Sequence, residues 1–380
     1  MGATLPQTRR TRPNGTSLAL GWTGSAQRTE ATLHQLSPYI GKMKSSMAGA
    51  LISRFTNKGD VVYDPFSGSG TVPLEAWIAG RRTIGNDLNP YASLLTQAKL
   101  FPPASLDLAL HTIEMVADQA SDLSPSVDLR LIPAWVRAFF NPDTLREIVA
   151  WSQVLAEREL HFLRACLLGI LHHQRPGFLS YPSSHTVPYL RAKKFPRRRF
   201  PDLYGYRSLR DRLQAKVTRA MRRMPVLDFG INRRCFSQDA GLLLPCEAVD
   251  VIVTSPPYMR QLDYGRDNRL RLWFLGVQNW RSLDNEVSLG EMGFLSLLRR
   301  CFGLWRRILA PRARCVLVLG DTYSRGYGVS LPDAVAHIAT KEIGGYRLVS
   351  SHTDAIPDAR RVRRGLSGNK SETVLVLERK

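Results

Sequence analysis

An apolar run, Val249-Asp250-Val251-Ile252-Val253, ends in Thr254-Ser255-Pro256-Pro257-Tyr258. The run reads as a buried strand. Neither proline has a backbone N–H, so the chain past the strand is stiff and cannot pair onward in a sheet. Such a turn presents the Ser255 hydroxyl, nearby carbonyls and the Tyr258 ring at the carboxyl edge of a sheet. That edge is where open α/β sheets bind ligands. On five residues alone, a proline-rich turn that merely stops a strand is also open, so the other segments decide.

A second strand and turn lie upstream. After a helical stretch carrying Met47, Leu51, Ile52 and Phe55 on one face, Val61-Val62-Tyr63 reads as a short strand. It runs into Asp64-Pro65-Phe66-Ser67-Gly68-Ser69-Gly70-Thr71, and a helix follows over 72–79. Strand, glycine turn and helix together make a weak G-x-G into a useful signal for a ligand held at a helix N-terminus. Pro73 stands where a third glycine would complete the dinucleotide pattern, and the turn lacks the lysine of a phosphate-binding loop. A nucleoside without a polyphosphate therefore fits better than ATP. A second strand, 83–86, ends in Asp87, 23 positions after Asp64. A carboxylate there can grip a ribose diol; it can also cap the helix that Asn89-Pro90 opens.

Residues 101–235 lack this alternation. Helical apolar spacing runs over 106–120 and 144–171, and then comes a loop rich in aromatic and hydroxyl groups, 181–190. From Arg191 to Arg223 there are 13 Lys and Arg against two Asp. Lys193, Lys194, Arg197, Arg198 and Arg199 stand among Phe195, Phe200, Tyr204 and Tyr206, a mixture suited to phosphate contacts with base stacking. A solvated charged face is the other reading. Residues 208–223 form a basic amphipathic helix.

Beyond Tyr258, helices are expected around Leu270–Leu275 and over 291–309, the second closed by Pro311. A strand follows over 315–321, then a helix over 331–343 and a last strand over 372–378. A basic loop, 360–370, precedes that strand. Asp239, in Phe236-Ser237-Gln238-Asp239-Ala240, either contacts the base half of a nucleoside or belongs to a surface loop.

The whole chain carries 53 Lys and Arg against 32 Asp and Glu, a net charge of +21, which points to a polyanion such as nucleic acid. The five cysteines are odd in number and form no C-x-x-C pair, and no histidines cluster at zinc spacing. Structural zinc and a disulfide framework are not expected, and a reducing, cytoplasmic setting is. No apolar run reaches membrane-spanning length.

The glycine turn and the Ser-Pro-Pro-Tyr turn together resemble those of the amino-methylating DNA methyltransferases, which act on cytosine N4 or adenine N6. The resemblance covers about 34–100 and 236–380. It implies a Rossmann-like doubly wound α/β methyltransferase sheet with a largely helical, basic insert. It also implies S-adenosylmethionine as cofactor and DNA as substrate, and leaves open a cognate restriction endonuclease as partner. By this resemblance, Tyr39 and Lys42, within Ser37-Pro38-Tyr39-Ile40-Gly41-Lys42, lie beside the methionine part of the cofactor. Asp64, Pro65, Phe66, Ser67, Gly68, Gly70, Thr71, Asp87, Asp239 and Thr254 complete its site. Ser255, Pro256, Pro257 and Tyr258 are the catalytic turn. There Ser255 and the Pro256 carbonyl take the amine, and Tyr258 stacks on the extruded base. Serine at the first position leans toward cytosine N4 over adenine N6. Lys193, Lys194, Arg197, Arg198 and Arg199 would contact DNA.

Neither a metal nor a covalent enzyme intermediate is required. The Pro245-Cys246 pair precedes its strand, which is the wrong side for a C5-cytosine nucleophile. In many relatives the catalytic motif comes first; here the cofactor motif does. The domain reading is a flexible basic arm over 1–30, a catalytic domain of 31–100 plus 236–380, and a helical, basic insert over 101–235 that contacts DNA or recognises the target. Two other functions stay open at this level: methylation of a guanine amine in tRNA, and a catalytically inactive nucleic-acid binder.

Overall fold

The computed structural model describes residues 30–185, 187–257, 262–320, 322–355 and 371–380. Most of the arm (1–29), Tyr258 and the basic loop 360–370 lie outside the described residues.

In chain order the strands are β1 (Val61–Asp64), β2 (Arg82–Asn86), β3 (Arg233–Phe236), β4 (Val249–Thr254), β5 (Leu309–Gly320), β6 (Tyr323–Ser324), β7 (Val329–Ser330), β8 (Tyr346–Ala355) and β9 (Ser371–Arg379). The helices are α1 (Ser45–Phe55), α2 (Thr71–Ile78), α3 (Pro90–Leu100), α4 (Leu106–Leu123), α5 (Ala134–Arg137), α6 (Pro142–Glu157), α7 (His161–Gly169), α8 (Leu209–Met221), α9 (Tyr264–Trp273), α10 (Trp280–Val287), α11 (Glu291–Ile308) and α12 (Leu331–His337).

Seven strands form one sheet in the order β3-β2-β1-β4-β5-β9-β8, and β6 and β7 form a separate two-stranded sheet. β1 to β5 run parallel, while β9 lies antiparallel between β5 and β8. This is the Rossmann-like doubly wound α/β sheet expected from the sequence. The chain builds outward from β1 through β2 to β3, then returns to the other side of β1 with β4. The topological switch point therefore lies between β1 and β4.

Alternation along the strands sorts the two faces. Val62, Val251, Val253, Val316, Val318, Val374 and Val376 pack with Met47, Leu51 and Ile52 of α1. Tyr63, Ile252, Cys315, Leu317, Leu375 and Leu377 pack with Phe294, Leu298, Phe302 and Trp305 of α11. A third apolar cluster joins Tyr91, Leu94 and Leu95 of α3 to α4, α6, α7, α8 and α9. The helices of 106–221 thus share a core with the sheet's own α3.

Four details differ from the sequence reading. The helical stretch 144–171 is two helices, α6 and α7, broken where Glu159 takes a left-handed backbone (φ 51°). The five-residue step from Leu155 to Leu160 cannot stay on one stripe of a 3.6-residue period. β3 starts at Arg233, inside the stretch read as insert, and pairs Arg233–Phe236 with Thr83–Asn86. Its half-buried, Arg-rich sequence hides it from an apolar-run criterion. β5 begins at Leu309, so α11 ends at Ile308 and Pro311 lies inside the strand. β8 and α10 were not foreseen.

Gly70 shows why the glycine turn takes its form. It caps α2 in a left-handed conformation (φ 74°), and a Cβ there would stand 2.7 Å from the Thr96 Cα of α3. Gly70→Ala combines backbone strain with a backbone clash, and should cost roughly 2–5 kcal/mol of unfolding free energy. Urea denaturation at equilibrium measures it; a loss below about 1 kcal/mol would contradict this packing.

Candidate active site

The carboxyl ends of β1 and β4 meet at the switch point through one hydrogen bond. The buried Thr254 hydroxyl donates to Asp64 Oδ1 at 2.6 Å. The same oxygen accepts the Phe66 N–H at 3.2 Å. At the tip of β2, Asp87 accepts the Gly68 N–H on Oδ2 at 2.8 Å and the Asn89 N–H on Oδ1 at 2.9 Å. Asn89, rather than Asp87, caps α3, its side chain accepting from Tyr91 N. Asp87 is thereby a tie between the glycine turn and the next helix, with lone pairs left for a ligand.

These residues line a cavity of about 510 Å³. That size suits a nucleoside-sized ligand. Asp64, Pro65, Phe66, Ser67, Gly68 and Thr71 form one wall, with Asp87 beside them. Tyr39 and Lys42 line it from the segment before α1, Asp239 from the loop after β3, and Ser255 and Pro257 from the turn after β4. The sequence-separated motifs therefore open onto one space. Thr254 and Pro256 are buried behind it, and Gly70 serves the α2–α3 contact. Tyr258 lies outside the described residues.

Tyr39 is held by rings on both sides, stacked on Tyr264 (6.1 Å, 26°) and tilted against Tyr91 (5.9 Å, 39°). Lys42 donates to the His34 carbonyl at 3.0 Å. Asp239 accepts the Gly241 N–H at 2.7 Å and pairs with Arg300 at 3.2 Å.

The far wall comes from residues that the sequence reading missed. Tyr264 of α9, Asn285–Val287 of α10, and Ser296 and Arg300 of α11 face the cavity. Asp284 joins the first two helices, accepting the Gly265 N–H at 2.7 Å and the Arg266 N–H at 3.1 Å. Gly265 has no Cβ, and one there would stand 2.5 Å from the Trp280 carbonyl oxygen. The available signal was Asn279, which caps α10 by accepting from the Arg281 and Ser282 N–H groups.

The five basic residues proposed from sequence lie elsewhere. Lys193, Lys194, Arg197, Arg198 and Arg199 are all exposed on the segment before α8. Their neighbouring rings pack mostly among themselves. Phe195 meets Phe200 edge-on at 5.6 Å, and Lys194, Arg197 and Arg199 lie over Phe195, Tyr204 and Phe200 at 5.7, 5.8 and 5.6 Å. Part of the segment's charge is structural. Arg207 is buried and donates to the carbonyls of Phe178 and Leu203, both at 2.7 Å.

The donor set fits a nucleoside methyl donor. Burial holds the Asp64 carboxyl at about 7, outweighing the Thr254 and Phe66 hydrogen bonds that lower it. Burial likewise raises Asp87 to about 6, against the Asn89 and Gly68 N–H groups. Two such carboxyls suit a ligand that donates from ribose hydroxyls or an ammonium group. Among the described residues no group of three His, Cys, Asp or Glu is placed to hold a metal ion. No described helix is long and apolar enough to cross a membrane.

A carboxyl whose pKa rises on folding contributes stability at low pH that is lost as pH climbs through the folded value. Ionisation of Asp64 and Asp87 between about pH 4 and 7 therefore weakens the empty protein, and a hydrogen-bond-donating ligand offsets that loss. The thermal shift on adding S-adenosylmethionine should grow from about pH 5.5 to 8 by scanning fluorimetry. Asp64→Asn with Asp87→Asn should flatten the rise; an unchanged profile would remove these carboxyls from the ligand site.

The family described as DNA methylase, of the N6/N4 type, matches residues 7–98, which hold the Tyr39 segment, the glycine turn and Asp87. A type II methyltransferase of Methanocaldococcus jannaschii, M.MjaII, is 34% identical over 83 residues, 22% of this chain and 16% of that protein. M.MvaI of Kocuria varians, also named a type II methyltransferase, is 22% identical over 260 residues, 61% of this chain and 53% of that protein. The chain thus spans about half or less of the curated relatives it matches. Among solved structures, TrmN from Thermus thermophilus superposes with a TM-score of 0.37 at 12% identity, covering 92% of this chain and 52% of that one. The segment that carries the Tyr39 stretch, the glycine turn and Asp87 is thus similar to the amino-methylating (N6/N4) DNA methylases, and it sits on a doubly wound parallel sheet.

Proposed function

We propose that this protein moves a methyl group from S-adenosylmethionine to the exocyclic N4 amine of cytosine in DNA. The observation that carries the reading is the shared cavity. Ser255 and Pro257 face the same space as Asp64, Gly68 and Asp87, so a nucleoside donor held by the carboxylates would lie against the catalytic turn. The cofactor supplies an electrophilic methyl group on a sulfonium.

The protein's task is to make a poor nucleophile point at it. The amine's lone pair is delocalised into the base. Hydrogen bonds from the amine to Ser255 Oγ and the Pro256 carbonyl favour a more tetrahedral nitrogen and aim the lone pair, which is catalysis by positioning and electrostatics. Asp64 and Asp87 grip the donor's polar groups, and Asp239 and Phe66 bound its base half. Tyr39 and Lys42 flank its methionine half. To Tyr258 we assign stacking on the extruded base. Thr254 acts through Asp64 by fixing its carboxyl. Preference for cytosine over adenine rests on Ser255.

The exposed Lys193, Lys194 and Arg197–Arg199 are assigned to DNA phosphates, with the 101–235 helices as their scaffold. By analogy with the named type II relatives, a restriction endonuclease of the same recognition sequence is the partner that this reading suggests.

Labelled-methyl transfer to DNA and to tRNA, followed by mass spectrometry of the nucleosides, tests the proposal. N4-methylcytosine is expected; N6-methyladenine would move the target base, and incorporation into tRNA alone would overturn the DNA reading. Ser255→Ala should lower kcat by about 10²-fold or more while cofactor affinity is retained. Full activity in that variant would remove the catalytic assignment. Replacing Arg197, Arg198 and Arg199 by Ala should reduce the slope of log affinity against log salt by about 2–3. An unaltered slope would leave the segment as a solvated face.

A further inference from the structure

The short β6–β7 hairpin sits on the active edge of the sheet and has no role in the reading above. Its place follows from strand register. Thr254, at the end of β4, pairs with Leu317 of β5, and β5 continues to Gly320. Three further residues carry the chain about 10 Å past the level of Thr254, one strand spacing of about 4.8 Å to the side. The hairpin therefore follows the carboxyl end of β5, the strand next to β4, on the edge of the sheet that carries the Ser255–Pro257 turn.

An exposed aromatic is ordinary by itself. This hairpin adds three features. Tyr323 is 65% exposed while its neighbour Ser324 is fully buried. The backbone beneath it is braced. Glu291 of α11 accepts the Ser324 hydroxyl at 2.6 Å and the Gly326 N–H at 3.0 Å, and these bonds hold its carboxyl below the usual range. The strand pairs are Tyr323 with Ser330 and Ser324 with Val329, and Leu331 N–H closes the base on the Thr322 carbonyl at 2.6 Å. Tyr327 is tied down through its hydroxyl by Arg299 and Glu342. Third, the exposed Arg325 lies at the tip and matches a polyanion.

A rigid hairpin with one ring turned outward loses little entropy when that ring is covered. When a target nucleotide leaves a duplex, the flanking base pairs lose stacking, which costs a few kcal/mol. We propose that Tyr323 is a positioning residue for the reaction. It stacks on the base pair exposed when the target nucleotide swings into the cavity, while Arg325 contacts the adjacent phosphate. This inference rests on the DNA methyltransferase reading of the cavity.

The test begins with the wild-type protein, whose methylated position in DNA is mapped by sequencing. Two duplexes are then compared, one fully matched and one with an abasic site opposite the target, where extrusion is already cheap. Tyr323→Ala should lower kcat/KM about 10-fold or more on the matched duplex and much less on the abasic one. Tyr323→Phe, which keeps the ring, should retain wild-type rates on both. Melting temperature and S-adenosylmethionine affinity of both variants should match wild type, since the side chain is exposed. Equal rates for Tyr323→Ala and wild type on the matched duplex would overturn the inference and leave the proposed function standing, as would an equal loss on both duplexes. No methyl transfer to DNA by wild type would overturn both.

Discussion

The hydrogen bond from Thr254 to Asp64 spans the point where the sheet changes direction. Its two residues lie 190 positions apart in the sequence. Each ends a buried parallel strand, and each is followed by the turn that carries one half of the proposed chemistry. Without that bond, Asp64 would sit buried with one hydrogen bond fewer, and its carboxyl would be costlier to ionise. The bond therefore links the geometry of the Ser255–Pro257 turn to the charge of Asp64 on the cavity wall.

Around this link the structure is a set of ties between turns. Asp87 holds the glycine turn to the start of α3, and Gly70 lets α2 and α3 approach closely. Asp284 clamps the start of α9, the first helix after the Ser255–Pro257 turn, to α10. A small apolar cluster of Leu262, Tyr264 and Val287, with Tyr39 and Leu88 against it, seals this wall. Carboxylates accepting backbone N–H groups recur in these ties. They fix loop conformations at the ligand edge, where no strand ladder can do so.

The central strands were legible because parallel strands covered on both faces read as unbroken apolar runs. The two ligand turns were legible for the opposite reason, since proline pairs and left-handed glycines restrict the backbone locally. β3 escaped because it is half-buried and carries Arg233 and Arg234. The α6–α7 break and α10 escaped because their signals, a five-residue step between leucines and the Asn279 cap, are single local features that apolar periodicity passes over. In the basic segment, composition suggested rings free to stack on bases. Three-dimensional packing adds what composition does not show: Phe195 lies against Phe200, and Arg207 is buried on carbonyls.

The sequence by itself determined the fold class and the two turns with Asp64 and Asp87 beside them, because these depend on short-range patterns of strand burial, proline, glycine and spacing. The tertiary structure decided which of those residues share one cavity, that Asp87 leaves the capping of α3 to Asn89, and that α9 to α11 complete the wall. It also put the β6–β7 hairpin after β5, at the same edge of the sheet as the Ser255–Pro257 turn. These are outcomes of strand order and helix packing, which bring together groups tens to hundreds of residues apart, and no local pattern encodes such distances.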